Sequence, residues 1–294
     1  QVGATDDIKI DAALAAAIAS TTAHGVRFSS RAYTVNATHN LTGVSDLTLE
    51  FSPGSTLRIG SAPTGLLATR ARIFSLDACA RVVFRGLHVL APLVPMVGAA
   101  EFEACIIQFY NSADCAVLDS TFDLTNIWSA TYMDEGVAFQ YDAAALWIKG
   151  PSALRNRMSD CVVTGGSVLY SYLGSSQATI SRVTVINAPA NGFGGYGNHT
   201  EWASDNVLDN CAVINYNRIG IEDWNKIRRT TIRDCHVIGS GRMGISTVGT
   251  ATRVINPYVE GNPLYTGIEL GSSGAVVTGG RLVLATTTPS GIIV

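Results

Sequence analysis

One short phrase returns three times between residues 206 and 270, and this repeat constrains the fold more than any other feature of the chain. Two positions recur in register within it. One is held by Cys211, Cys235 and Pro257, and the other by Gly220, Gly244 and Gly267. Both series advance by 22 to 24 residues, and a sustained period of that size is the signature of a solenoid.

Within each copy, apolar and polar residues alternate over a few positions, stop at Gly or Asn, and alternate again. This pattern predicts two short strands and a turn, with side chains pointing alternately inward and outward. A single coil cannot bury its apolar face, so the coils must stack and share a core. Leucine-rich repeats have a similar period but need a Leu-x-x-Leu-x-Leu frame, which this sequence lacks. We therefore predict an all-β, right-handed, single-stranded parallel β-helix.

The composition fits this fold and restricts the partners. The 294 residues are 47% apolar and 15% charged, as expected for strands buried along one continuous axis. No apolar run approaches the roughly 20 residues of a membrane span, and a formal net charge of −3 argues against nucleic acid as a partner. The six cysteines include no Cys-x-x-Cys pair. We expect free thiols in the core, with a Cys211–Cys235 disulfide as the alternative.

Residues 1–24 predict an N-terminal capping helix. Thr5 or Asp6 can cap it, and acids in its first turn complement the helix dipole. Such a helix would cover the open end of the first coil, where strand edges and core are otherwise exposed. Its apolar stripe consists of Ile10, Leu14, Ala17 and Ile18.

This N-terminal stretch resembles that of the pectate-lyase-like β-helix superfamily. Gly3-Ala-Thr-Asp-Asp7 precedes an Ala-rich helix, and strand-like segments follow at 26–35 and 47–57. Many members read Gly-x-x-Asp-Asp, helix, then a strand ending in Pro-x-Gly-x-Tyr; here residues 28–33 lack that Pro and Gly. The resemblance covers about the first sixty residues by motif. It implies a secreted, extracellular or virion-tail protein that acts on polysaccharide, as tailspike depolymerases, polygalacturonases and polysaccharide lyases do.

The resemblance also implies homotrimeric assembly, although the sequence contains no heptad repeat to support it. The coils themselves are predicted to occupy residues 25–294 as one domain, with insertions near 124–144 and 192–202. Aromatic rings in these insertions offer the flat apolar surfaces against which sugars pack, and packing within the loops is the alternative. The candidate substrate-binding residues there are Trp128, Tyr196, His199 and Trp202.

No cofactor is predicted, with calcium as the alternative. The oxygen ligands available for calcium are Asp134, Glu135 and Glu201, but their spacing matches no calcium loop.

Alignment of the coils on the Gly-Ile pair predicts one outward-facing column of side chains. Glu222 and Glu269 lie two coils apart in it, so their main chains are about 10 Å apart. Carboxylates separated by roughly 6.5–9.5 Å suit an inverting glycosidase, with one acid and one base. A solvent-exposed sheet face with scattered charges is the alternative. The column consists of Lys149, Tyr170, Gly194, Glu222, Ser246 and Glu269.

The neighbours of Glu222 complete this hypothesis. Small residues at 194 and 246 leave room for a sugar beside the carboxylate, and Trp224 flanks it as a further stacking candidate. Asp223 faces inward on a regular strand and joins Glu222 in the site if the strand ends there. Arg218 and Arg242 precede the column by three or four positions and are suited to bind acidic sugars.

A second chemistry is also open. A uronate lyase needs a cation for the substrate carboxylate and a base for the adjacent carbon-bound proton, and Lys149 with Tyr170 and an arginine meets that need. Residues 219–224 also resemble the Tyr-Gly-Phe-Asp-Pro-His segment of mannuronan epimerases, without its Pro and His. Our first hypothesis is hydrolysis of an extended acidic glycan by Glu222 with Glu269 or Asp223. Lysis, epimerisation, and non-catalytic glycan binding by a spike or adhesin module are the alternatives.

Overall fold

The computed structural model describes residues 5–21, 24–97, 104–134, 137–197, 202–285 and 290–293, and for residues 97, 128–134 and 137–142 it describes the main chain alone. Three parallel sheets run along the stack of coils, and nearly every coil contributes one strand to each. The predicted parallel β-helix is therefore confirmed. Among the described residues, no helix is long and apolar enough to cross a membrane.

Sheets 1 and 2 share two long strands, Arg157–Thr164 and Thr179–Ala188, which bend from one sheet into the other. The other strands of sheet 1 are Gly25–Phe28, Thr48–Phe51, Val83–Arg85, Ala116–Leu118, Val207–Asp209, Thr231–Arg233, Arg253–Ile255 and Val276–Thr278. The other strands of sheet 2 are Ala32–Val35, Thr56–Ile59, His88–Leu90, Thr121–Asp123, Ala212–Tyr216, His236–Gly239, Tyr258–Gly261 and Arg281–Leu284.

Sheet 3 has ten strands and carries the candidate site on its outer surface. Its strands are His39–Thr42, Phe74–Asp77, Cys105–Tyr110, Ala144–Lys149, Ser167–Tyr172, Phe193–Tyr196, Ile219–Trp224, Met243–Thr247, Thr266–Leu270 and Ser290–Ile293. A second helix, Gly65–Arg70, lies between strand Thr56–Ile59 of sheet 2 and strand Phe74–Asp77 of sheet 3.

The capping helix spans Asp6–Ala19 and begins at Thr5, whose hydroxyl accepts a hydrogen bond from the amide of Ile8. Ile10, Leu14 and Ala17 are buried as predicted, whereas Ile18 is 47% exposed and does not belong to the stripe. The acids of the entry motif attach the helix to the first coil. Asp6 accepts from the Thr34 amide and from Arg31, and Asp7 accepts from the amides of Asn36 and Ala37.

The recurring glycine of the repeat is explained by close approach of main chains. Gly220, Gly244 and Gly267 are the second residues of successive strands of sheet 3, one residue before the inward Ile221, Ile245 and Ile268. A Cβ atom built on Gly220 would lie 2.6 Å from the carbonyl oxygen of Gly244. This spacing leaves no room for a side chain. Glycine therefore recurs once per coil because adjacent main chains approach closely at this position.

All six cysteines are buried and free, so the alternative of a Cys211–Cys235 disulfide is wrong. Burial raises the pKa of Cys115 and of Cys161 to about 12. We expect Cys211 and Cys235 to react with a thiol reagent only as fast as their coils open. Labelling of the native protein within seconds would contradict this packing, and labelling of the urea-unfolded protein is the positive control.

The insertions differ from prediction in detail. Within residues 124–144, the strands Ile127–Asp134 and Val137–Asp142 pair in antiparallel orientation, and Met96–Val97 pairs in parallel with the first of them. The second insertion is shorter than 192–202, because Phe193–Tyr196 is a regular strand of sheet 3 and Ala203–Ser204 pairs with Ile227–Arg228.

Candidate active site

Sheet 3 places Glu222 and Glu269 in one outward column. Main-chain pairing joins Leu169 to Gly194, Gly194 to Glu222, Glu222 to Ser246, and Ser246 to Glu269. The predicted register of the last four residues is therefore confirmed. Two strand spacings separate the acids, which places their main chains about 10 Å apart.

The first two members predicted for this column lie elsewhere. Leu169 holds the outward position, so Tyr170 points into the core and is fully buried. Lys149 pairs with Tyr172 in the neighbouring outward column. The pairing of strands 144–149 and 167–172 is irregular, and a slip of one residue reverses the face to which every side chain points.

Glu222 is 1% exposed and is held through one carboxylate oxygen. Its Oε2 accepts hydrogen bonds from Asn191 Nδ2 at 2.6 Å, Tyr196 OH at 2.7 Å and Arg218 Nη1 at 2.7 Å. The other oxygen, Oε1, has no hydrogen-bond partner in the described part of the chain. A buried carboxylate oxygen without a partner is costly, so Oε1 is available to accept from a ligand.

Tyr196 reaches Glu222 because Gly194, two residues earlier on the same face of the strand, has no side chain. A Cβ atom built on Gly194 would lie 2.6 Å from a ring carbon of Tyr196 and 3.0 Å from its hydroxyl oxygen. The space predicted for a sugar at Gly194 is therefore occupied by the tyrosine ring. Burial and the charge of Glu222 raise the pKa of Tyr196 well above its ordinary value, so its hydroxyl is a donor to the carboxylate at neutral pH.

A cleft of about 180 Å³ opens beside Glu222 on the outer face of sheet 3. Ser246 donates a 2.5 Å hydrogen bond to Glu269 Oε2 across it. Trp224 is 47% exposed at its rim. Five of the residues that line the cleft were predicted for the site: Arg218, Glu222, Trp224, Arg242 and Glu269. The other lining residues are Ile219, Met243 and Ser246.

Asp223 lies on the opposite side of the sheet from this cleft. Its strand continues to Trp224, so the carboxylate points inward and is fully buried. It accepts hydrogen bonds from Tyr170 OH at 3.0 Å and Thr252 Oγ1 at 2.8 Å, and Thr230 Oγ1 lies 3.3 Å away. The hypothesis that Asp223 joins Glu222 in the groove is therefore wrong. Burial raises its pKa to about 6.

We expect Asp223 to make stability depend on pH between about 4 and about 6. The folded protein keeps the Asp223 proton up to pH about 6, whereas the unfolded chain releases it near 3.8. Stability therefore falls as pH rises through this window, by about 3 kcal/mol from this one group. Asp223→Asn should remove that decrease. Urea unfolding of both proteins at pH 4 and pH 7 measures it, and a difference between them that does not change with pH would contradict it.

Lys149 lies among aromatic rings in the column beside that of Glu222. Its ammonium is 4.7 Å from the centre of the Trp147 ring, 5.6 Å from that of Tyr172 and 6.0 Å from that of Tyr110. The column continues through Tyr196 to Trp224. The Lys149 and Tyr170 pair required for lysis is thus divided between the outer surface and the core.

The remaining aromatic candidates do not line the cleft or cannot be placed. Trp202 is exposed and packs against the Arg228 guanidinium, 5.7 Å from its ring centre. The side chain of Trp128 and the whole of His199 lie outside the described residues, as do the calcium candidates Glu135 and Glu201 and the side chain of Asp134.

Sequence reasoning missed two residues of the site. Asn191 donates a hydrogen bond to Glu222 and accepts one from the Ile219 amide. The sequence signal was its polar side chain directly before Gly192, because apolar Ile219 and Met243 stand directly before the corresponding glycines of the next two coils. Tyr265 is 39% exposed and stacks on Arg242, whose guanidinium is 4.9 Å from the ring centre. Tyr265 lies one residue before strand Thr266–Leu270, and therefore outside the outward column on which the prediction was based.

No protein-family model matches the sequence, and no curated protein matches it. Solved structures do resemble it. The surface adhesin PfbA of Streptococcus pneumoniae superposes with a TM-score of 0.63 at 11% identity, over 95% of this chain and 76% of the adhesin. A galactohydrolase of sulfated galactose units gives 0.59 at 8% identity, over 97% and 87%. An iota-carrageenase bound to iota-carrageenan fragments gives 0.50 at 9% identity, over 83% and 53%. At these identities the likeness establishes the β-helix fold.

Proposed function

We propose that this β-helix is a glycoside hydrolase that cleaves an extended polysaccharide in the cleft between Glu222 and Glu269. One observation carries the proposal: Glu222 is buried with Oε2 held by three donors while Oε1 has no partner among the described residues. Such a carboxylate is fixed in position and has one free acceptor to offer. One of the structures with this fold is named as a galactohydrolase and another as an iota-carrageenase, which supports the reaction class.

The arrangement suggests separate roles for the two acids. Three hydrogen bonds fill Glu222 Oε2, so Oε1 accepts a proton from water while the water oxygen attacks the anomeric carbon. Glu269 is less buried and is bonded to the Ser246 hydroxyl, and it donates its proton to the leaving glycosidic oxygen as that bond breaks. Main chains about 10 Å apart leave room for the water, so we expect inversion at the anomeric carbon.

The rest of the cleft suits an acidic sugar. Arg218 and Arg242 line it, and guanidinium groups bind carboxylate and sulfate oxygens through paired hydrogen bonds. Trp224 offers an exposed ring at the rim. We therefore propose an anionic glycan as the substrate and a secreted location for the protein.

Non-catalytic glycan binding is the second candidate, and the structural likeness to the PfbA adhesin supports it. It would use the same arginines and Trp224 without the acid and base chemistry. Lysis is disfavoured, because Tyr170 is buried on the inner side of the sheet.

Incubation with a panel of sulfated, uronate-containing and neutral polysaccharides tests the proposal. We expect new reducing ends from at least one anionic polysaccharide, without the ultraviolet absorbance of an unsaturated uronate that lysis would leave. Proton NMR of the first-formed product should show the inverted anomer. Saturable binding to a polysaccharide whose chain length stays unchanged would overturn the hydrolase and assign the cleft to binding alone.

A further inference from the structure

Two adjacent glycines in strand Phe193–Tyr196 are each crossed by a tyrosine, on opposite faces of sheet 3. On the outer face, Tyr196 lies over Gly194 and reaches Glu222. On the inner face, a Cβ atom built on Gly195 would lie 2.4 Å from the hydroxyl oxygen of Tyr170. Only glycine at 195 allows Tyr170 to extend past this strand to the next coil.

The Tyr170 hydroxyl reaches the strand that carries Glu222 from behind. It donates to Asp223 Oδ1 at 3.0 Å and lies 3.3 Å from the main-chain oxygen of Glu222. Both groups are fully buried, and Thr230 and Thr252 complete the shell around Asp223. The segment 222–223 is thus held by a tyrosine on each side of the sheet.

We propose that Tyr170, with Asp223, is a positioning residue that fixes the main chain of Glu222 from the inner face of the sheet. Residues 194 and 195 contribute no side chains to support the next strand, so a tyrosine on each face adds to the main-chain pairing that joins this strand to its neighbours. A small displacement of the Glu222 main chain would move Oε1 relative to the cleft, and misplacement by about 1 Å lowers turnover by about a hundredfold. The relevance to turnover rests on the proposed hydrolase function; the effect on the strand does not.

One hydroxyl proton faces two acceptors, which links this contact to the charge of Asp223. An ionised Asp223 accepts the Tyr170 proton more strongly than a protonated Asp223 does, so protonation of Asp223 favours the Glu222 carbonyl oxygen as the acceptor. The titratable groups near Asp223 among the described residues are Tyr170 and Glu222, and Thr230 and Thr252 are neutral. Burial raises the pKa of Tyr170 well above its ordinary value, so only Asp223 changes charge near neutral pH on this face.

The test compares Tyr170→Phe with Tyr216→Phe. Tyr216 is also buried, and its hydroxyl has no hydrogen-bond partner in the described chain. The control therefore removes the same hydroxyl oxygen without removing a hydrogen bond. The substrate-free readout is the emission of Trp224, the next residue of the strand, obtained by subtracting a Trp224→Phe protein during titration from about pH 4 to 8. The second readout is kcat and KM on the polysaccharide that the panel shows to be cleaved.

In the wild type we expect Trp224 emission to titrate with a midpoint near pH 6. Tyr170→Phe should raise this midpoint, because it removes a hydrogen bond that favours the ionised carboxylate. It should also lower kcat by about tenfold with KM within about twofold, as for lost positioning without lost binding. Tyr216→Phe should match the wild type in both measurements.

If Tyr170→Phe equals Tyr216→Phe in both readouts, the proposal is overturned. If no polysaccharide is cleaved, the hydrolase function fails and the Trp224 titration alone decides the positioning role. Should Tyr170→Phe not fold, Asp223→Asn takes its place; it must abolish the titration near pH 6, and persistence of that titration would equally overturn the proposal.

Discussion

Glu222→Gln is expected to lower turnover on the cleaved polysaccharide by at least about a hundredfold, the scale for loss of one acid or base group. Three donors surround the Oε2 position. They will hold the amide oxygen there and turn the NH2 group into the cleft, so the acceptor is lost as well as the base. Steady-state kinetics on the purified, folded variant measures the effect.

The stability of this variant should also decrease, contrary to what an exposed glutamate would show. Glu222 is buried in an ion pair with Arg218, so removal of its charge should cost about 1–3 kcal/mol. Glu260→Gln is the matched control, since Glu260 also accepts from a tyrosine but lies on sheet 2, away from the cleft. Near-wild-type turnover in folded Glu222→Gln would show that Glu222 is not the catalytic base and would exclude the mechanism proposed for this cleft.

Gly244→Ala is expected to lower the free energy of unfolding by about 3 kcal/mol, at the upper end of the effect of overpacking. The added Cβ would lie 2.5 Å from the carbonyl oxygen of Gly267 and 2.6 Å from a methyl group of Val259. A main-chain oxygen cannot rotate away, so adjacent coils must separate. Urea unfolding at constant pH provides the measurement.

Gly271→Ala is the control for this effect. Its Cβ would meet Val248 at an ordinary 3.4 Å, and we expect a change within about 1 kcal/mol, because alanine also restricts the unfolded chain. Equal destabilisation by the two substitutions would show that the recurring glycines at 220, 244 and 267 reflect something other than close packing of adjacent coils.

The fold could be predicted from sequence because its causes are local and repeated. Alternation with a period of two residues decides which side chains face inward, and the same alternation occurs in each copy of the repeat. The glycines of the repeat mark main-chain approaches that occur in every coil. For the same reason the order Gly194, Glu222, Ser246 and Glu269 was predictable, since the last three follow the repeated Gly-Ile pair directly and Gly194 follows Gly192-Phe193 in the same way.

The tertiary structure decided everything that depends on contacts between different coils. Tyr170 and Lys149 were misplaced because irregular pairing shifts their strands, and one residue of slip exchanges core for surface. The burial of Glu222 depends on a tyrosine 26 residues away that crosses a glycine and on an asparagine 31 residues away. No local pattern encodes such contacts, because they arise only when coils stack and a missing side chain in one strand admits a side chain from another.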